Sequence, residues 1–235
     1  MGLLFYAPDI LINLELPQQE SRHCVRVLRQ QKGDNILITN GKGLLFKAAI
    51  VKPDPECCKI EILETINKPP HWKDKIEIAM SPTKDIARTE WFAEKATEIG
   101  IDKISFLKTR FSERKEIKTD RINRILISAM KQSFKTVLPE VQEMTGFERF
   151  VKQKFEGQKF IAHCYDCEKK LLSETIDKDG NILVLIGPEG DFSREEVALA
   201  IENGFTPVSL GESRLRSETA ALTACQTIHI LRRSL

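Results

Sequence analysis

Ile182-Leu183-Val184-Leu185-Ile186-Gly187-Pro188-Glu189-Gly190-Asp191-Phe192-Ser193-Arg194-Glu195-Glu196 is the stretch that decides the fold. Its first five residues are aliphatic without polar alternation, as in a strand buried on both faces of a parallel sheet. Gly187 and Gly190 then allow a tight, closely approachable loop, and Pro188 stiffens it. Ser193 with Glu196 three residues on is a capping box, so a helix opens there and stops at Gly204. The order is strand, glycine loop, helix.

Working outward, the same rhythm recurs on both sides. Before it come a strand at Ile76–Met80, a helix from Arg88 to Ile99 stopped by Gly100, and a strand at Lys103–Leu107. A helix capped by Asp120 follows, with Ile122, Ile125, Leu126 and Ala129 at helical spacing, then a strand at Lys159–Cys164. After it come a strand at Pro207–Leu210 and a last helix from Ser217 to Arg232. Alternation of this kind predicts an α/β domain over residues 72–235 with helices on both faces of a parallel sheet. Ile66-Asn67-Lys68-Pro69-Pro70 breaks any regular element. Ahead of it, runs at Leu3–Tyr6, Ile36–Asn40, Leu44–Val51 and Lys59–Thr65, with a hairpin signal at Asn40-Gly41-Lys42-Gly43, predict a small β-barrel over residues 1–68. The one helical stretch there is Gln19 to Gln31.

The chain has 235 residues, 41% hydrophobic and 30% charged, which supports a sizeable core and excludes global disorder. A net charge of +2 excludes a histone-like polycation. The longest aliphatic run is Ile182–Ile186, far short of the roughly 20 residues of a membrane helix. Asp9 and Glu15 sit where a signal peptide would be apolar, so the expectation is a cytoplasmic protein with no membrane contact. The six cysteines are then reduced thiols. Cys164-Tyr165-Asp166-Cys167, after His163, lacks a second ligand pair for zinc, so no metal is expected and the pair reads as thiols at a core strand's end.

Charge is unevenly placed. Ser105 to Glu140 holds nine Lys or Arg against four acids, whereas residues 181–235 hold five against seven. Arg22, Arg26 and Arg29 recur at helical spacing with His23 beside them, a stripe suited to a phosphate backbone. Aromatics do not interleave with these clusters, so shape and phosphate contact is the expected mode of RNA binding.

The second glycine loop is Leu210-Gly211-Glu212-Ser213-Arg214-Leu215-Arg216-Ser217-Glu218-Thr219-Ala220-Ala221. In open α/β sheets ligands collect beyond the carboxyl ends of the strands, so one ligand can touch both loops. Neither GxxxxGK[ST] nor GxGxxG occurs, and Glu189 and Asp191 disfavour a phosphate cradle. Acids beside a tight glycine loop suit a ligand with a positive centre, such as S-adenosyl-L-methionine.

These motifs, in this order, resemble the SPOUT-class methyltransferases that modify N3 of one uridine in small-subunit (16S) ribosomal RNA, the RsmE family. Arg22-His23-Cys24-Val25-Arg26-Val27-Leu28-Arg29 with Gly33-Asp34 resembles its N-terminal signature. Lys84, Glu94–Gly100, Ser112-Glu113-Arg114, Gln132-Ser133 with Pro139, and the two glycine loops resemble its later blocks. Asp191 stands where a third glycine is usual, and Phe134-Lys135 replaces a small residue and an arginine. The resemblance implies a PUA-like barrel, a SPOUT domain with a deep trefoil knot, and a homodimer. It implies that Leu185, Ile186, Gly187, Pro188, Glu189, Gly190, Leu210, Gly211, Ser213, Leu215, Arg216, Thr219 and Ala220 surround S-adenosyl-L-methionine. Lys84, Arg110, Arg114 and Lys135 join Arg22, His23, Arg26 and Arg29 as the residues expected to contact the partner, the ribosomal RNA of the small ribosomal subunit.

A uracil N3 must lose its proton to accept a methyl group. A guanidinium beside its oxygens favours that anion, and Arg216 is the candidate; Glu189 is the candidate proton acceptor. Glu218 reads as a helix-start acid, His163 as a core-edge residue and His229 as a packing histidine. Two other readings stay open. One is a SPOUT enzyme acting on transfer RNA or large-subunit ribosomal RNA, the other a non-catalytic ribosome-assembly RNA-binding protein.

Overall fold

The computed structural model describes residues 3–232. Their order is β1 (Leu4–Tyr6), α1 (Ile10–Asn13), α2 (Gln18–Arg22), a π-helical turn (His23–Val27), β2 (Asn35–Thr39), β3 (Leu44–Lys52), β4 (Lys59–Asn67), β5 (Ile76–Met80), α3 (Ile86–Ile99), β6 (Lys103–Lys108) and α4 (Thr119–Gln132). There follow β7 (Glu140–Gly146), α5 (Phe147–Val151), β8 (Gln158–Ala162), β9 (Lys170–Leu171), α6 (Leu172–Thr175), β10 (Ile182–Ile186), α7 (Arg194–Glu202), β11 (Thr206–Ser209) and α8 (Ser217–Arg232). They form two compact units, one reaching to His71 and taking in Ile127–Leu138, the other holding Trp72–Leu126 and the chain from Pro139.

In the first unit the sheet order is β1-β2-β3-β4, with β1 parallel to β2 and the rest antiparallel. Leu14–Leu16 returns along the free edge of β4, where Leu16 N donates to Cys58 O (2.9 Å) and Ile60 N to Leu14 O (3.0 Å). The sheet therefore curls around Phe5, Ile38, Phe46, Ile50 and the thiols of Cys24 and Cys58. Asn40 Oδ1 accepts from Lys42 N (2.9 Å) and Leu44 N (3.3 Å) in the β2–β3 turn. Ile127–Leu138, which the sequence assigns to the second domain, belongs here because that turn binds it: Gly43 N donates to Thr136 O and Leu138 N to Gly41 O, both 2.9 Å.

The expected helix from Gln19 to Gln31 is shorter and changes type. Only Gln18–Arg22 is α-helical, the next five residues are a π turn, and Arg29 lies beyond it at φ 55°. Leu28 N reaches back to His23 O (3.0 Å), and this wider winding takes Arg29 off the helical spacing of Arg22 and Arg26.

In the second unit every strand pair is parallel, in the order β7-β6-β5-β10-β8-β11-β9. Leu183 and Leu185 of β10 pack with Phe147, Phe150 and Val197 of α5 and α7. Alternation sends Ile182 and Val184 to the opposite face, where α8 lies along β5 and β10 and against α3. Asp85 starts α3 by accepting from Ala87 N (3.1 Å). Asp120 sits in the first turn of α4 instead of capping it, where its charge still opposes the helix dipole. Ser193 and Glu196 form the capping box of α7, with Ser193 N donating to Glu196 Oε2 (2.8 Å). His229 packs as the sequence predicts: its Nε2 lies 2.7 Å from Gly100 O and its ring meets Trp72 edge-on. Among the described residues no helix is long and apolar enough to cross a membrane.

Candidate active site

Because β8, β10 and β11 are parallel neighbours, the loops after them leave from the same end of the sheet. They enclose a cleft of about 800 Å³, within the range of small-molecule sites. Gly187 begins the first wall, and a Cβ there would sit 3.1 Å from Asp191 C and Phe192 N. The loop turns back on itself as Asp191 N donates to Pro188 O (2.9 Å). Asp191 occupies the left-handed region at φ 65° and accepts from Phe192 N (2.8 Å) and Cys164 N (2.7 Å). These bonds offset the backbone cost that a glycine would avoid, and they fix the first loop to the segment after β8.

Glu189 Oε1 accepts from Lys84 N (3.0 Å), and Arg114 donates to Lys84 O (2.8 Å) and Thr83 O (3.2 Å). Both side chains thus hold one piece of main chain beside the cleft. Lys84 Nζ itself pairs with Glu113 at 2.8 Å, on the surface. In the second loop Gly211 takes φ 130°, and Arg216 O accepts from Ala220 N (2.7 Å) at the start of α8. The exposed Arg216 guanidinium makes no ion pair or hydrogen bond among the described residues. Glu218 is buried and faces Arg88 (4.0 Å) instead.

Of the residues placed around the cofactor by the sequence, Ile186, Gly187, Pro188, Glu189, Gly190, Leu210, Gly211, Ser213, Leu215, Arg216 and Ala220 line this one cleft. Leu185 does not, since alternation points it into the α5–α7 core. Thr219 lies one position off the lining face of α8. Sequence reasoning missed the third wall: Ala162, His163, Cys164, Tyr165 and Lys169. Only strand order brings β8 beside β10, and periodicity carries no strand order. Burial, with Lys169 nearby, pushes the His163 imidazole below its ordinary value of 6.5. Among the described residues no His, Cys, Asp or Glu cluster suits a metal ion.

The cationic residues expected to meet RNA are not a single stripe. Arg22 donates to both oxygens of Glu56 (2.9 Å each), and Arg26 lies 3.9 Å from the same carboxylate. Gln18 and Arg22 together hold the Glu56 carboxyl below its usual range. His23 is half-buried with its ring 6.2 Å from that of Phe5. Arg110 pairs with Glu195 (3.2 Å) and leans over Phe111 (5.8 Å), while Lys135 sits in the 127–138 segment with its amide on Met130 O (3.0 Å).

The cleft fits S-adenosylmethionine. Ile186, Pro188, Leu210 and Leu215 supply apolar walls, Glu189 and Glu212 carry negative charge at the loops, and Gly211 leaves open the space a side chain would take. A parallel sheet carrying such a cleft, in a chain that also has a curled β unit bearing arginines, belongs to the class of RNA methyltransferases, as two family models show. The RNA methyltransferase domain model matches residues 70–229, and the RNA methyltransferase PUA domain model matches residues 16–63. The ribosomal RNA small subunit methyltransferase E of Synechocystis sp. is 31% identical over 97% of this chain and 77% of its own length. This chain belongs to the ribosomal RNA small subunit methyltransferase E family. A probable rRNA-methyltransferase from Porphyromonas gingivalis is 42% identical, with a TM-score of 0.94 and 98% of each chain covered. The family's Neisseria gonorrhoeae protein, solved bound to S-adenosyl methionine, is 27% identical with a TM-score of 0.88 over 98% of each chain.

Proposed function

We propose that this protein transfers a methyl group from S-adenosyl-L-methionine to N3 of a uridine in small-subunit (16S) ribosomal RNA. The observation that carries the reading is the meeting of both glycine loops around one cleft. Family membership and the S-adenosyl methionine in the Neisseria gonorrhoeae relative support it. The N3 position rests on the family resemblance of the motifs.

S-adenosylmethionine supplies a methyl group already activated by its sulfonium. The protein's part is alignment, exclusion of water and charge stabilisation. Arg216, whose guanidinium has no partner among the described residues, is placed to stabilise negative charge on the uracil oxygens. Glu189 keeps Oε2 for the N3 proton while Oε1 is fixed by the Lys84 amide. Residues 1–68 dock RNA, aided by Lys84, Arg110, Arg114 and Lys135, and residues 72–235 carry out the transfer.

The finer architecture follows the family. Sheet order leaves β11 beyond β8, yet α8 returns to lie along β5 and β10, a path that suits a trefoil knot through the cleft loops. Ile230 and Leu231, exposed on α8, suit a homodimer face. A ribosomal RNA substrate places the enzyme in the cytoplasm. Methylation of undermethylated small subunits, with the modified base located by mass mapping, tests the reading. Failure to label 16S RNA, or a label on another base, overturns it.

A further inference from the structure

His163 stands at the end of β8 on the third wall of the cleft, only 8% exposed. Neither Nδ1 nor Nε2 has a hydrogen-bond partner, and both are closed to water. Such buried orphans are uncommon, because burial strips the water and ordinarily supplies a replacement. The segment over the ring is otherwise well tied. Cys164 N donates to Asp191 Oδ2 (2.7 Å) and Tyr165 OH to Phe192 O (2.7 Å). Lys169 Nζ donates to the carbonyls of His163 (2.7 Å) and Tyr165 (2.6 Å). The imidazole alone is left without a partner in a wall otherwise held in place.

Burial and the Lys169 ammonium both favour the neutral ring. A neutral imidazole offers one N–H donor and one acceptor, which matches a hydroxyl or amino group. A carboxylate would call for the charged ring, and a sulfonium or ammonium would be repelled by Lys169. The ring is buried in the lining of the cleft, so the ligand it meets is one that the cleft encloses. Tyr165 lies beside it, its ring 5.7 Å from the imidazole.

We propose that His163 binds the adenosine half of S-adenosylmethionine, hydrogen-bonding one of its hydroxyl or amino groups. The inference rests on the cofactor reading above and adds a residue to that site. Calorimetry with S-adenosylmethionine, S-adenosylhomocysteine and 5′-methylthioadenosine, on wild type, His163→Leu and His163→Asn, tests it. All three ligands share the adenosine half, and the last lacks the amino-acid end. His163→Leu weakens all three by about tenfold, near the worth of one hydrogen bond. The same change raises the melting temperature of the ligand-free protein by about 2–4 °C, since it removes a buried orphan. His163→Asn, which keeps a donor and an acceptor, loses less affinity than His163→Leu. Affinities within twofold of wild type in both variants overturn the proposal. So does a loss confined to the two ligands with an amino-acid end. Failure of wild type to bind any of the three overturns instead the reading on which it rests.

Discussion

Arg216 makes no ion pair or hydrogen bond among the described residues, whereas Glu189 is tethered to the Lys84 amide, and these two are the proposed charge-handling pair of the cleft. Arg216→Ala is expected to keep S-adenosylmethionine affinity within about threefold and to lower methyl transfer on the order of 100-fold, the usual loss of one charge-stabilising donor. Single-turnover kinetics with small subunits measures this, and unchanged turnover removes Arg216 from the chemistry. Asp191 makes a separate prediction. Asp191→Ala keeps the left-handed backbone and loses two hydrogen bonds, so it costs about 2 kcal/mol, whereas Asp191→Gly relieves the backbone and costs less. Urea denaturation of both variants reads the order, and an equal loss contradicts it. In proton NMR titrations the His163 ring should ionise below 6.5, because burial favours its neutral form. Stability linked to this residue is therefore present above 6.5 and falls as acid reaches the unfolded chain's histidine first.

Elements differ in how openly the sequence declares them. β10, its glycine loop and α7 were legible because five aliphatics and a capping box mark both ends. β7 was not, since Glu140–Gly146 has no aliphatic run and gains its place by edge pairing with β6. The π turn after α2 was hidden too, because five residues at near-helical spacing look like a helix until the hydrogen bonds are drawn. The RNA prediction belongs to this scale. Arg22 is already committed to Glu56, so Arg26 and Arg29 are the pair to remove. Their double alanine variant should lower the slope of log affinity for RNA against log salt by about 1.5. An unchanged slope would assign both to a solvated surface. Between α3 and α8, Gly100 leaves room for Trp72, and an added Cβ would lie 2.6 Å from its ring. Gly100→Ala should cost on the order of 2–3 kcal/mol by thermal or urea unfolding, from overpacking and a backbone at φ 136°.

The described residues form a curled β unit and a parallel α/β unit, and Ile66–Pro70 is where the sequence places the division. What periodicity did not reveal was order: which strand lies beside which, and that Ile127–Leu138 pairs back with the first unit. The site was half legible for the same reason. Its two glycine loops are local signals, whereas the wall bearing His163 joins them only through the β8–β10–β11 neighbourhood. The central claim is that this neighbourhood holds a methyl donor for ribosomal RNA. The direct measurement is transfer of labelled methyl from S-adenosylmethionine to small subunits purified from cells lacking the enzyme, followed by mass mapping of the RNA. One labelled uridine carrying the methyl on N3 is the predicted result. No transfer, or a methyl group on any other atom or RNA, would contradict it.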